Sequence, residues 1–167
     1  GIAATIELAD KLNFTKNSTI IDIGCGLGGP ARYFSKRFNC NVYGIDITEA
    51  FIEIGNYFNK LTHIDHQVTL LKGDGENLPY QTEFFDGAVS QHVTMNIENR
   101  EQFFNEAFRV LKKGAIFGFS EHGLGTKGNP IFPLPWADDE NMSFLKTPEY
   151  TKRCLLYTSD AADEYSG

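Results

Sequence analysis

The chain has 167 residues, of which 41% are hydrophobic and 22% are charged, and its formal net charge is -7. This length suits one domain and this composition suits a buried core, so disorder of the whole chain is not expected. The acidic charge disfavours nucleic acid and anionic membrane surfaces as partners. Three cysteines without the spacing of a disulfide framework indicate a reducing compartment, and we expect a cytoplasmic protein.

The first half of the chain alternates predicted helices and strands. Apolar residues with helical spacing cover residues 1–12, and a β-branched run at 19–23 predicts the first strand. Glycines then lead into a helix with Pro30 in its first turn. Residues 41–46 predict a second strand, and Thr48 is the expected N-cap of the next helix. We expect the inner face of that helix to consist of Phe51, Ile54, Phe58 and Leu61.

The second half continues this alternation. Strands are predicted at 68–71, 85–90 and 115–120. Asn99 and Gln102 resemble a capping box at the start of the helix before the last of these strands. The apolar stripe of this helix is predicted to be Phe103, Ala107, Phe108 and Leu111, and its C-terminus Lys112, Lys113 and Gly114.

The segment after the fifth strand is predicted to be a loop followed by a helix. Residues 123–136 are rich in glycine and proline, and Thr147 and Pro148 are typical of a helix start. The whole pattern predicts an α/β fold with a Rossmann-like, doubly wound, mostly parallel sheet. Ligands of such sheets bind outside the carboxyl ends of the strands.

A glycine-rich turn follows the first predicted strand directly. Gly24, Gly26 and Gly29 satisfy the dinucleotide pattern G-x-G-x-x-G, so a nicotinamide-dependent oxidoreductase is one interpretation. Asp46, at the end of the second strand, suits ribose hydroxyls in either case. Asp22 separates the alternatives, because a carboxylate beside the turn would repel a pyrophosphate and favour a cationic ligand.

Four motifs in order resemble those of class I S-adenosylmethionine-dependent methyltransferases. They are DIGCGLGG at 22–29 with GID at 44–46, GDGENLP at 73–79, FFDGAVS at 84–90, and a helix end with Glu106, Arg109 and Lys112 to Gly114. The segment GGPARY at 28–33 looks most like the small-molecule branch, which includes sarcosine/dimethylglycine, phosphoethanolamine and tocopherol-type methyltransferases.

This resemblance implies S-adenosylmethionine as the cofactor and assigns its contacts. Asp22 would favour its positive charge, and the glycines would line its methionine and ribose portion. The other implied contacts are with the ribose diol, the adenine ring, the base edge and the amino-acid end. The cofactor residues predicted in this way are Asp22, Gly24, Gly26, Gly28, Asp46, Ile47, Asp74, Gly75, Glu76 and Gln91.

Candidates for the chemistry follow the fourth and fifth strands. His92 could orient or deprotonate an acceptor, and Glu121 could bind an amine or a hydroxyl. Trp136 could shape an acceptor pocket, although packing is its simpler role. His63 and His66 lack the further ligands that a closed zinc site needs, so no metal site is predicted.

The end of the chain has a different character. Residues 154–164 match the translation of a sequencing-library adapter, so we expect 154–167 to be a non-native tail. The methyltransferase domain would then occupy residues 1–153, incomplete at both ends and with a sheet truncated after its fifth strand.

The predicted function is methyl transfer from S-adenosylmethionine to a small-molecule acceptor, which is an amine, an activated carbon or a hydroxyl. The oxidoreductase is the first alternative, and a non-catalytic module that binds the nucleoside is the second. A nucleic-acid methyltransferase is a weaker third, because the chain is acidic and has no basic stripe.

Overall fold

The computed structural model describes residues 1–164, with side-chain surroundings for residues 1–156. Short 3₁₀ helices occur at Thr94–Asn96 and Glu140–Met142. No helix within the described residues is both long enough and apolar enough to cross a membrane. The helices and strands in chain order are α1 (Ile2–Ala9), β1 (Thr19–Ile23), α2 (Gly29–Phe38), β2 (Asn41–Asp46), α3 (Glu49–Leu61), β3 (Val68–Lys72), β4 (Phe85–Gln91), α4 (Arg100–Val110), β5 (Leu111–Ser120) and α5 (Pro148–Glu164).

The five strands form one sheet in the order β3-β2-β1-β4-β5, and every neighbouring pair is parallel. This confirms the predicted fold class. The strand order reverses between β1 and β4, and that switch point is where open α/β sheets bind their ligands. The chain leaves both strands at their carboxyl ends, so the glycine turn after β1 and the residues after β4 share one edge.

The sheet separates two apolar cores. Ile20 of β1 packs on one side with Phe34 of α2, while the next residue, Ile21, packs on the other side with Phe103 of α4. This alternation follows from the two-residue period of a strand. Burial of each such side chain contributes about 1.5–3 kcal/mol, which fixes the helices against the sheet.

The predicted inner face of α3 is wrong. Its four predicted residues are exposed, and α3 buries Ile52, Gly55 and Asn59. The reason lies in the polar contacts with the edge strand β3. Asn59 Nδ2 donates to the Val68 carbonyl at 3.1 Å, and Asn56 pairs with both backbone groups of Leu70. These amides set the rotation of the helix, and the apolar stripe faces outward.

The predicted start of β5 is also wrong. α4 ends at Val110, and the strand begins at Leu111, four residues before the expected position. Leu111 pairs with Phe85, and the register then shifts between Phe85 and Gly87. Lys112 is held in the strand by Asp86, whose Oδ1 lies 2.7 Å from the lysine Nζ. The glycine assigned to a helix end, Gly114, has φ +75° within the irregular part of the strand.

The predicted tail begins inside α5. The helix continues past residue 153, and Cys154 is buried in the core cluster that contains the α4 side chains. Residues 165–167 lie outside the described part of the chain. The boundary between a native domain and a tail at 153/154 therefore stays a prediction.

Candidate active site

Backbone hydrogen bonds connect the glycine turn to the end of β2. The amides of Gly24 and Cys25 both donate to the Ile45 carbonyl, at 2.7 and 3.0 Å. Gly24, Gly26 and Gly28 have φ values of +78°, +53° and +75°. Only glycine adopts these values without strain, so the pattern of glycines is required by the path of the backbone.

Two of these glycines have opposite surroundings. A Cβ at Gly24 would clash with Val93 Cγ2, so the chain after β4 closes over that residue. A Cβ at Gly26 would meet no heavy atom of the described residues within 4 Å. Gly26 therefore borders open space at the switch point, and the turn leaves room for a ligand against its backbone.

Asp46 joins three loops at this corner. Its Oδ2 accepts from the Gly26 amide at 2.8 Å, and its Oδ1 accepts from the Thr48 amide at 2.9 Å. Its carbonyl accepts from the Gly73 amide at 3.0 Å. Each carboxylate oxygen keeps capacity for a second hydrogen bond. The next residue, Ile47, is highly exposed and offers an apolar surface beside these acceptors.

Asp22 is a buried carboxyl with an unused acceptor. Its Oδ2 has no hydrogen-bond partner among the described residues. Burial, together with the nearby charge of Asp46, raises the pKa of Asp22 from 3.8 to about 7, although the Ala31 amide acts to lower it. A cation at the corner would stabilise the ionised form. The orphaned oxygen of Asp22 and the space over Gly26 thus fit a positively charged nucleoside such as S-adenosylmethionine.

The turn after β3 carries the predicted base-binding residues. Asp74 Oδ1 accepts from the Glu76 amide at 2.9 Å and so closes a tight turn. A Cβ at Gly75 would lie 2.9 Å from the Phe103 ring, so glycine permits the close approach of this turn to α4. The Glu76 carbonyl accepts from Gln102 Nε2 at 3.0 Å. One half of the predicted capping box is confirmed, because the Asn99 side chain accepts from the backbone amide of Gln102. The other half is not, because the Gln102 side chain binds the turn after β3.

A partly buried ion pair fixes the end of this turn. Glu106 Oε2 accepts from the Leu78 amide at 2.7 Å, and Arg109 donates to the carbonyls of Leu78 and Tyr80 at 2.9 and 2.7 Å. The hydrogen bond from Arg109 holds the pKa of Glu106 below its usual range. The two residues that resembled a family helix end therefore anchor the turn, a role that the sequence alone did not indicate.

Gln91 lies where β4 reaches the switch point. Its Oε1 accepts from Thr5 Oγ1 of α1 at 2.9 Å. The side-chain nitrogen, Nε2, therefore stays able to donate to a ligand carboxylate. This placement agrees with its predicted position at the amino-acid end of the cofactor, and the contact itself stays a prediction.

His92 belongs to a stack of three rings. Its ring lies 4.8 Å from that of His122, which lies 5.1 Å from Trp136 at an interplanar angle of 10°. His92 Nδ1 is buried without a partner among the described residues, and φ at His92 is +57°. Burial, with an additional effect of His122, lowers the pKa of His92. The lowered pKa favours the neutral ring, which can accept a proton.

Glu121 has a different set of partners. It accepts from Thr94 Oγ1, and its Oε2 lies 3.4 Å from Arg100 Nη1. Arg100 is almost fully buried and also donates to the Thr151 hydroxyl, at 2.7 Å, and to the carbonyls of Thr94 and Phe144. This cluster joins the ends of β4 and β5 to α4 and α5. A direct contact of Glu121 with an acceptor stays a prediction.

The structure brings the predicted cofactor residues to one corner and places His92 at the adjoining edge. Sequence reasoning missed Val93 and Arg100. No pattern marks Val93, whose importance arises from its contact with Gly24. Arg100 did carry a signal, because a cation in the first turn of a helix opposes the helix dipole and therefore needs a specific partner.

Comparison with known families decides the class of protein. A family model described as a methyltransferase domain matches residues 21–119. The chain belongs to this methyltransferase family. The matched range covers the glycine turn, the Asp46 corner, the turn after β3 and all five strands, except for the outermost residues of β1 and β5.

Curated relatives of this chain include two fungal sterol 24-C-methyltransferases. That of Candida albicans is 33% identical over 114 residues, which are 68% of this chain and 30% of the relative. That of Kluyveromyces lactis is 33% identical over 126 residues, which are 75% of this chain and 34% of the relative. The chain thus spans about a third of the length of these relatives.

Solved structures share the fold at low sequence identity. Geranyl diphosphate C-methyltransferase from Streptomyces coelicolor A3(2), in complex with S-adenosyl-L-homocysteine, has a TM-score of 0.82 at 21% identity, covering 94% of this chain and 59% of that one. The [4+2]-cyclase SpnF has a TM-score of 0.82 at 22% identity, covering 93% and 56%. Family membership confirms the predicted methyltransferase domain, and structures with the same fold contain S-adenosylmethionine or S-adenosyl-L-homocysteine. The individual site residues stay predictions.

Proposed function

We propose that this chain forms the cofactor-binding core of an enzyme that transfers a methyl group from S-adenosylmethionine to a carbon atom of a small apolar acceptor. The observation that carries the proposal is the corner where the buried carboxyl of Asp22 and the Asp46 carboxylate flank the open backbone of Gly26. A corner with two acids suits a cationic nucleoside better than a pyrophosphate.

The chain's own residues hold the cofactor in this proposal. Asp46 accepts from the ribose hydroxyls, Ile47 packs on the adenine ring, and the turn at Asp74 to Glu76 reads the base edge. Asp22 and Gln91 lie at the methionine end, Gly24 and Gly28 give the turn its left-handed path, and Gly26 lets the ligand approach the backbone. S-adenosylmethionine supplies a methyl group that its sulfonium already activates.

A carbon acceptor is favoured over an amine or a hydroxyl by the names of the relatives. The fungal relatives are sterol 24-C-methyltransferases, and a structural neighbour is a geranyl diphosphate C-methyltransferase. An alkene carbon that gains a methyl group uses its π electrons for the new bond, and a neighbouring carbon must then lose a proton. The neutral imidazole of His92 is the base that we assign to this proton.

Calorimetric titration of the 167-residue chain with S-adenosylhomocysteine and with NAD⁺ tests the cofactor assignment. We expect saturable heat with the former and none with the latter. Saturable binding of NAD⁺ without binding of S-adenosylhomocysteine would revive the oxidoreductase alternative and would contradict the proposal.

Methyl transfer from labelled S-adenosylmethionine tests the acceptor. The panel consists of a sterol with a side-chain double bond, geranyl diphosphate, sarcosine and a catechol. We expect label on an alkene acceptor only. Label on sarcosine or the catechol would refute the carbon acceptor, and cofactor binding without transfer to any acceptor would support the non-catalytic nucleoside-binding module.

A further inference from the structure

Thr5 is a polar residue on the otherwise apolar inner face of α1. The helix buries Thr5, Leu8 and Ala9, and the two apolar residues pack in one of the core clusters. Thr5 is only 5% exposed, so its hydroxyl needs a hydrogen-bond partner within the protein. A threonine in a helix commonly finds this partner in the carbonyl four residues earlier. Thr5 instead donates to Gln91 Oε1, 86 positions along the chain, at 2.9 Å.

The position of α1 against the sheet is set by close contacts with β5. A Cβ at Gly118 of β5 would lie 3.0 Å from Leu12 Cδ2 and 3.2 Å from Leu8 Cδ1, so the missing side chain lets this segment approach the strand. Leu8 and Leu12 share their core cluster with Val89 of β4. The inner face of α1 is therefore held beside the end of β4, where Gln91 lies.

Gln91 lies on the same side of the sheet as Asp22. Val89 is the parallel partner of Asp22, and Gln91 stands two residues beyond Val89, which is one period of a strand. Since the hydrogen bond to Thr5 engages the amide oxygen, Gln91 presents Nε2 and its two hydrogens. An unused acceptor, Asp22 Oδ2, and a donor, Gln91 Nε2, thus belong to the same side of the switch point.

An acceptor and a donor on one side of the switch point match the two charges of an α-amino acid. The ammonium group of such a ligand pairs with the ionised carboxyl of Asp22, and its carboxylate accepts from Gln91 Nε2. A reversed Gln91 amide would turn Oε1 towards the carboxylate, and two acceptors repel each other. The orientation of this amide therefore decides how well the amino-acid end is held, and it does not concern the adenosine portion.

We propose that Thr5 is a positioning residue for the amino-acid end of the cofactor, because it holds the Gln91 amide with Nε2 directed towards the ligand. Thr5 acts through Gln91 and does not itself contact the ligand. α1 is thereby a functional part of the cofactor site as well as a packing element. The inference rests on the proposed function, since it assigns the cofactor carboxylate to Gln91.

Calorimetric titration of the 167-residue chain with two ligands tests this role. S-adenosylhomocysteine carries the amino acid, whereas methylthioadenosine has the same adenosine and sulfur without it. Thr5→Val keeps the shape of the side chain and removes the hydroxyl. We expect it to weaken S-adenosylhomocysteine binding by about three- to tenfold, the net effect of one hydrogen bond. The affinity for methylthioadenosine should not change, because that ligand has no group for Gln91.

Further variants separate positioning from stability. Thr5→Ser restores a hydroxyl and should recover most of the affinity for S-adenosylhomocysteine. Gln91→Met should weaken the same ligand, and addition of Thr5→Val to it should have no further effect, because both residues act through one contact. Thr62→Val is the matched control. Thr62 is exposed at the end of α3, its hydroxyl donates to the Phe58 carbonyl at 2.7 Å, and its loss should leave both affinities unchanged.

The outcomes distinguish this inference from the proposed function. Equal weakening of both ligands by Thr5→Val, or weakening of neither, would overturn the positioning role and leave the nucleoside site in place. Additive losses in the double variant would overturn it as well. An unmodified chain that binds methylthioadenosine as tightly as S-adenosylhomocysteine would show that the amino-acid end has no site. An unmodified chain that binds neither ligand would refute the proposed function, and the role of Thr5 with it.

Discussion

The glycine turn with Asp46, which we call the cofactor corner, lies beside the residues after β4 and β5, which we call the acceptor edge. The two regions are built differently. The corner is made largely of backbone, namely three left-handed glycines and amides that converge on Asp46. The edge is made of side chains that contact one another, in the His92 ring stack and the Arg100–Glu121 cluster. Backbone geometry fixes the shape of a bound ligand, whereas a side-chain edge can be changed without moving the chain.

Removal of Arg100 should have the largest effect on stability. Arg100→Met leaves Glu121 without its ion-pair partner and the carbonyls of Thr94 and Phe144 without a donor, so the free energy of unfolding should fall by about 3–5 kcal/mol. Urea denaturation measures this. Lys11→Met, which breaks the exposed pair with Glu7, is the control and should cost less than about 1 kcal/mol. Equal effects would mean that the edge cluster is not a structural anchor.

A methyl group at Gly24 tests the contact between the glycine turn and Val93, which follows β4. Gly24→Ala combines a left-handed backbone with the clash against Val93, and we expect a loss of about 2–4 kcal/mol of stability. Gly26→Ala has the same backbone conformation without the clash, so it should cost about 1–2 kcal/mol yet weaken S-adenosylhomocysteine binding. Addition of Val93→Ala should restore part of the stability of Gly24→Ala alone. No restoration would show that the clash is not the cause.

Truncation of Asp46 should weaken nucleoside binding by about 1–3 kcal/mol, because it strands the ribose hydroxyls and the Gly26 and Thr48 amides. Asp46→Asn keeps an acceptor and should lose less. Calorimetry with S-adenosylhomocysteine measures both, and Asp65→Ala, an exposed acid outside the corner, serves as the control. Unchanged affinity in Asp46→Ala would place the ribose elsewhere.

The raised pKa of Asp22 predicts a smaller effect, on pH dependence. The folded chain binds a proton at Asp22 that the unfolded chain has released between pH 3.8 and about 7, so this group's contribution to stability falls as pH rises through that window. Binding of a cation requires the ionised form, so S-adenosylmethionine affinity should rise with pH, by up to about tenfold per unit, and level off above about 7.

Asp22→Asn provides the control for this titration. The variant should lose the slope of affinity between pH 5 and 7, and at pH 8 it should be at least as stable as the unmodified chain, because no charge remains to be buried. A slope that persists in Asp22→Asn would assign the titration to another group, such as His92.

Helices α3 and α4 show how far sequence patterns reach. Both have apolar residues at helical spacing, and for α4 the predicted Phe103 and Ala107 are indeed buried. For α3 the same rule selected the exposed side, because its rotation is set by the amides of Asn56 and Asn59 on an edge strand. A hydrophobic pattern cannot distinguish a side that packs internally from one that stays exposed.

The parts of the site that are formed by short, continuous segments of backbone could be predicted from the sequence. The glycine turn and Asp46 follow directly from adjacent strand ends, and the structure places them together as expected. The contacts of Val93 with Gly24 and of Arg109 with the turn after β3 join residues far apart in the chain. Such contacts depend on the packed fold, and no short segment encodes them.

The ion pair of Glu106 and Arg109 has a kinetic consequence. Because four hydrogen bonds that involve this pair and Gln102 hold the turn after β3 in shape, a nucleoside bound there as proposed would meet a surface that needs no ordering before contact. The association rate of the nucleoside should then be set by diffusional encounter, and its dissociation rate by the contacts that must break. Exchange of spent for fresh cofactor is therefore set by departure, and loosening the pair should slow capture more than it speeds release.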